Sequence, residues 1–167
     1  MTPMVLLLAF QTAMILAAVS DLFTMTIPNR LTALFAAGFV AVALLSGLPL
    51  EAAAFHVACG LAALVAGFAL FSFGWIGGGD AKFFAATAMW LGPSLMLEYA
   101  MASAIYGGAL TLALLAVRMW PLPAPLARQG WIARLHDRQS GIPYGIALAL
   151  GGLMVASRAV WAIPVSG

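Results

Sequence analysis

Gly77-Gly78-Gly79-Asp80-Ala81-Lys82 sits between two long apolar runs, and the rest of the chain is organised around it. Three consecutive glycines give up side-chain packing and leave the backbone free to turn or to approach another chain closely. An aspartate beside lipid-length apolar sequence is costly, and such residues generally mark function. One other acid occupies a comparable place: Asp21, which closes the first apolar run.

The surroundings of that stretch define the class. Of 167 residues, 65% are hydrophobic and 7% are charged, against about 25% charged in a soluble domain. With a mean hydropathy of +1.09, the composition predicts an all-α, polytopic integral membrane protein. Its length suits a single membrane-embedded domain over 1–167 with about six transmembrane helices. A net charge of +2 is too small to point to nucleic acid, and a single cysteine, Cys59, excludes an internal disulfide or a multi-cysteine zinc site. Met1 to Met4 contain no Lys or Arg, so the first apolar run reads as a permanent helix and not as a cleaved signal peptide.

Outward from the glycines, the predicted spans are Pro3 to Ser20, Leu31 to Ser46, Glu51 to Trp75, a short fourth helix from Asp80 to Leu91, Ser94 to Trp120, and Ile142 to Ile163. Pro28 stops helix propagation before the second, and Asn29 is expected to cap it. The fourth helix, cut by Gly92-Pro93, is about 18 Å long at 1.5 Å per residue, less than the roughly 30 Å hydrocarbon core. It is a half-span, or the glycine backbone occupies part of the membrane depth. The polar segment Pro121 to Gly141 contains Trp131 to Arg138, whose spacing fits a short helix on the membrane surface or a solvated basic loop.

Charge sets the expected orientation. With the N-terminus outside, Arg30, Lys82, Arg118, Arg128, Arg134 and Arg138, six of the seven basic residues, face the cytoplasm. Trp75 and Trp120 then fall at inner boundaries and Trp90 and Trp161 at outer ones, the expected places for interfacial anchors. Asp21 and Asp80 fall together on the cytoplasmic side.

Two carboxylates brought together can hydrolyse a peptide. The ionised one takes a proton from water and the protonated one polarises the scissile carbonyl. Close like charges cannot both ionise cheaply, so their titration belongs to the pair. The residues also allow plainer readings. The glycines can be a turn or a small-residue packing site, Asp80 a helix N-cap, and Asp21 a solvated interfacial acid. His56 and Cys59, three apart on one helix face, have a spacing a metal could use, but packing is the better reading. Glu98 and Arg158 are expected to pair across helices or to reach the outer interface separately.

Three motifs in order carry a resemblance. Gly77 to Lys82 looks like the GxGD-x-K motif of type IV prepilin peptidases, intramembrane aspartic proteases. Asp21 with Ile27-Pro28-Asn29 resembles that family's first aspartate and its I-P-N, and Ile142-Pro143-Tyr144-Gly145 resembles its third motif. The small size resembles the minimal branch serving Tad/Flp-type pili, the CpaA/TadV group. The resemblance implies that Asp21 and Asp80 are the catalytic pair. Gly77, Gly78, Gly79, Lys82, Pro28, Asn29, Pro143 and Tyr144 would support the site. The substrate would be a prepilin or pseudopilin, cut after a short basic leader at the cytoplasmic face of the bacterial inner membrane. Pilus-assembly machinery is an implied partner, and no metal or organic cofactor is implied. The chain departs from larger members, which carry a cysteine-paired N-terminal domain and methylate the new N-terminus, so no methyltransferase activity is expected. Between Asp21 and Ile27 it has Leu22-Phe23-Thr24-Met25-Thr26, where the family often has basic residues. The rival readings are another GxGD signal-peptide-type protease, and a non-enzymatic transporter or pilus-assembly scaffold.

Overall fold

A computed structural model describes residues 3–159, among which every regular element is a helix. In chain order these are α1 (Pro3–Thr24), α2 (Asn29–Leu45), α3 (Leu50–Ser72), α4 (Gly78–Leu91), α5 (Pro93–Val117), the short α6 (Ala124–Ala127) and α7 (Gly130–His136), and α8 (Tyr144–Ala159). Met4–Thr24, Leu50–Ser72 and Pro93–Val117 are long and apolar enough to cross a membrane, and Asn29–Leu45 and Tyr144–Ala156 are shorter apolar helices. Leu34, Leu44, Val65, Phe68, Leu97, Ile105 and Leu112 lie on the outside of the bundle. Large apolar side chains exposed on most helices are what lipid solvates, and the chain is a multi-pass helical membrane protein.

The short helix α4 is the centre of the bundle and packs against α2, α3, α5 and α8. Its residues explain this: Ala81, Phe83, Ala85, Ala86, Thr87, Ala88, Trp90 and Leu91 are buried, so it is covered on nearly every face. Small residues let α3 lie close along it. A Cβ added to Gly60 of α3 would stand 2.8 Å from the Met89 Cβ and 3.2 Å from the Ala85 carbonyl. At α4's far end Gly92 takes φ +74°, which turns the chain directly into Pro93 at the start of α5. Helix α8 packs on α1 and α5 and closes the bundle.

Several boundaries differ from the sequence expectation, each for a local reason. Helix α1 runs one turn past Ser20, so Asp21 lies inside its last turn. It stops at Met25, which takes the left-handed φ of 57° while its N–H donates to the Asp21 carbonyl at 2.8 Å. Pro28, not Asn29, is the capping residue of α2, and no side chain caps that end. The Asn29 amide is engaged elsewhere. Helix α3 ends at Ser72, and α4 begins at Gly78, so two of the three glycines form its first turn and Asp80 is its third residue and not its cap.

Trp90 is not an interfacial anchor. It is buried, stacks on Phe35 (ring centroids 5.2 Å apart), meets Phe10 and Phe39 edge-on, and donates its indole N–H to the Phe35 carbonyl at 2.7 Å. A tryptophan at that depth serves as the joint between α2 and α4. Trp75 and Trp120 are exposed, whereas Trp161 and the last residues of the expected sixth span lie outside the described residues. Of the two arrangements expected for Arg158 and Glu98, the structure has the ion pair between α8 and α5. Within the expected Trp131 to Arg138 segment, α7 is docked on the end of α1 and is not a loop. The Trp131 ring meets Phe23 edge-on at 5.0 Å, and Arg134 donates to the Phe23 carbonyl at 2.9 Å.

Candidate active site

The end of α1 is a compact knot. Ser20 Oγ donates to the Thr26 carbonyl at 2.9 Å, and Thr24 Oγ1 donates to the Ser20 carbonyl at 2.7 Å. The left-handed turn at Met25 then reverses the chain, and the buried Ile27 comes back beneath Asp21. Holding a non-glycine residue in that region costs of order 1–3 kcal/mol, and such strain tends to cluster at working sites. Ile27 fills the space between the starts of two helices. A Cβ on Gly79 of α4 would lie 3.4 Å from the Ile27 carbonyl, and one on Gly145 of α8 would lie 2.8 Å from Ile27 Cδ1. The first motif is thereby wedged between the second and the third.

Asp21 is 4% exposed, and its Oδ2 accepts the Gly145 backbone N–H at 2.7 Å. Gly145 is the second residue of α8, so that N–H has no partner within its own helix and meets the carboxylate with the positive end of the helix dipole. Asp80 occupies the first turn of α4 and bends back over the glycines: a Cβ on Gly77 would stand 2.8 Å from Asp80 Oδ2. Two carboxylates from distant parts of the chain thus sit at the N-termini of two helices. Both line one cavity of about 1080 Å³, whose wall includes Met25, Trp75, Thr111, Gly141 and Ile142.

Of the residues singled out by sequence, Asp21, Pro28, Asn29, Gly77, Gly78, Gly79, Asp80, Lys82 and Tyr144 all line this cavity. Pro143 does not line it but is fully buried directly beside it, in front of α8. Lys82 donates to Asn29 Oδ1 at 3.1 Å and so ties α4 to α2, which is the use Asn29 has in place of capping. The Tyr144 hydroxyl donates to the Ser103 carbonyl at 3.3 Å and ties α8 to α5. Polar contacts thus tie α1 to α8, α4 to α2 and α8 to α5 around the cavity.

Three residues escaped the sequence reading. Gly145 lies in the third motif, two residues after Pro143, and has no side chain to mark it as functional. Ile27 lies in the first motif, where an apolar side chain gives no sign of the space it fills. Arg118 had no signal beyond its charge, yet it is 6% exposed and donates to the carbonyls of Leu135 (2.8 Å), Ser140 (3.3 Å) and Gly141 (3.0 Å). His56 and Cys59 are engaged in packing. His56 Nδ1 donates to the Met89 carbonyl at 2.9 Å and its ring stacks on Phe39, while Cys59 Sγ lies 3.2 Å from Met96 Sδ. Among the described residues no three of His, Cys, Asp and Glu converge as metal ligands would.

Helical spans, a polar cavity at one end of the bundle and two carboxylates on its wall describe a membrane-embedded protein with acid–base chemistry available to it. The sequence profile of the Type IV leader peptidase family matches residues 8–112. The chain belongs to that family. The prepilin leader peptidase/N-methyltransferase of Bacillus subtilis (strain 168) is 33% identical to it over an alignment of 153 residues that covers 85% of this chain and 59% of that protein. The chain thus spans well under two thirds of the length of that curated relative. No solved structure matches the chain significantly.

Proposed function

We propose that this protein is a prepilin leader peptidase that cleaves by a two-aspartate mechanism at the cytoplasmic face of the membrane. One observation carries the reading: Asp21 and Asp80, from separate motifs, line one cavity at the ends of α1 and α4. The pair holds one proton and one water between its carboxylates. The ionised aspartate removes a proton from the water, whose oxygen attacks the scissile carbonyl carbon. The protonated aspartate gives its proton to the carbonyl oxygen, which produces a neutral tetrahedral diol. As the diol collapses, one of its hydroxyls gives its proton to the ionised aspartate, the C–N bond breaks, the amine leaves with the proton of the other aspartate, and the pair returns to its starting charge. Gly145, by occupying Asp21 Oδ2, fixes the rotamer of that carboxylate. The lack of a side chain at Gly77 leaves room for the Asp80 carboxylate to bend back into the cavity that would receive the substrate.

The substrate class follows from where the cavity lies and from the family. A site at the ends of apolar helices suits a cut between a polar leader and an apolar helix, the arrangement of a type IV or Flp-type prepilin. Activity that needs one protonated and one ionised carboxylate is bell-shaped in pH. Initial rates of prepilin cleavage in detergent between acid and alkaline pH should therefore rise and then fall. A flat profile would remove the shared proton from the account.

The proposed orientation puts the N-terminus outside and the cavity inside, because Lys82, Arg118, Arg128, Arg134 and Arg138 cluster near the cavity end of the bundle. A reporter active only in the cytoplasm is expected to work when inserted after Arg128 and to be silent when inserted after Gly47, in the α2–α3 turn. The reverse pattern would place the cavity on the outer face and exclude a cytoplasmic cut.

A further inference from the structure

We infer that Arg118 is a positioning residue of the site: from outside the cavity it fixes the start of α8, and with it the backbone N–H that holds Asp21. Arg118 follows the last residue of α5 and does not line the cavity. Its guanidinium is buried, and among the described residues it has no carboxylate partner. Three backbone carbonyls stand in for one. Nε donates to Leu135 at the end of α7, while Nη1 and Nη2 donate to Ser140 and Gly141, the residues that lead into α8. Arg138 completes the clasp by donating to Arg118's own carbonyl at 3.2 Å.

The consequence at the site follows along five residues. Gly141 and Ile142 line the cavity, Pro143 is buried with a fixed φ, Tyr144 is pinned to Ser103, and Gly145 donates to Asp21. A buried charge left with three carbonyls is expensive to maintain, and a planar fork that satisfies all three at once is specific to arginine. Lysine retains the charge but cannot span the Leu135 carbonyl and the Ser140–Gly141 pair with fixed geometry. An ordinary surface arginine would have neither the burial nor this arrangement of acceptors.

The inference rests on the leader-peptidase reading, and two readouts keep their failures apart. In the first, membranes containing wild type, Arg118→Lys, Arg118→Ala and Arg128→Ala cleave one prepilin, with rates normalised to enzyme in the membrane. Arg118→Ala should lose about 10- to 100-fold in kcat, the scale of an approximately 1 Å misplacement, with KM within about twofold. Arg118→Lys should recover part of that loss, added guanidinium ion should restore part of the Arg118→Ala rate, and Arg128→Ala should match wild type. In the second, trypsin cutting after Arg138 is timed in membranes open at the cavity side. Arg118→Ala should be cut several-fold faster than wild type, a result that does not depend on peptidase activity. A wild type that cleaves no prepilin would defeat the peptidase reading and, with it, the catalytic part of this inference. Unchanged kcat in Arg118→Ala, or equal trypsin rates, would overturn the role of Arg118 itself.

Discussion

Asp21→Asn and Asp80→Asn are each expected to lower prepilin cleavage by about 10³-fold or more while the protein still inserts and accumulates in the membrane. General acid and base catalysis each contribute typically about 10²–10⁴-fold, and an asparagine can neither take the proton from water nor return one to the leaving amine. The two residues act as a unit, so the double variant should be no slower than the slower single variant. Folding should tolerate both changes. Asparagine keeps an oxygen that can accept the Gly145 N–H at position 21, and at position 80 it keeps the size of the side chain that bends over Gly77. Quantitative cleavage assays alongside immunoblots of the membrane fraction separate lost chemistry from lost protein. Full activity in either single variant would mean that the mechanism does not use two aspartates.

Gly145→Ala should be strongly damaging although it removes no functional group. The added Cβ would stand 2.8 Å from Asp21 Oδ2, 2.8 Å from Ile27 Cδ1 and 3.0 Å from the Asp21 Cβ. None of these can withdraw easily, because Ile27 is wedged against the start of α4 and Asp21 is nearly fully buried. Overpacking of this kind costs about 1–3 kcal/mol of stability, and a displaced carboxylate costs about 10²-fold in rate. The comparison is Gly108→Ala on α5, where an added Cβ meets nothing within 4 Å. Turnover per enzyme should fall in the first and hold in the second. Wild-type turnover in Gly145→Ala would show that the contact between α8 and Asp21 is not part of the working site.

Much of the site was legible because it is made of short contiguous motifs. Asp80 and its glycines, Asp21 and Ile27-Pro28-Asn29, and Pro143-Tyr144 each stand together in sequence, and folding only has to bring three clusters to one end of a bundle. How they meet was not legible. Helices that are apolar all round carry no amphipathic stripe to say which face meets which neighbour, so the central place of α4 and the burial of Trp90 could not be read from periodicity. The tryptophan expectation failed for that reason: near a helix end, a core tryptophan and an interfacial one look alike until the aromatic neighbours Phe10, Phe35 and Phe39 are known. The Asn29 expectation failed because a capping side chain can be drawn away by a stronger partner, here the Lys82 ammonium. Arg118 was counted among the cytoplasmic charges, since nothing in the sequence distinguishes a buried arginine that grips backbone from one in a solvated loop.

Helix lengths tell the same story at the membrane scale. Helix α4 has 14 residues, about 21 Å at 1.5 Å per residue, so it cannot span the hydrocarbon core by itself. The polar cavity lies at its N-terminal end, lined by residues of α1, α2, α4, α5 and α8 and of the loops that precede α2, α4 and α8. A short central helix thus leaves Asp80, in its first turn, on the wall of the same cavity as Asp21 at the end of α1.

The central claim, a leader cut made by Asp21 and Asp80 together, is tested most directly by mass spectrometry of one Flp-type prepilin. The prepilin is incubated with membranes containing the wild type or the Asp21→Asn/Asp80→Asn double variant at equal enzyme levels. The account predicts a single wild-type cut between the basic leader and the apolar helix, with uncut prepilin in the double variant. The same cut in both preparations, or none in either across several prepilins, would contradict it.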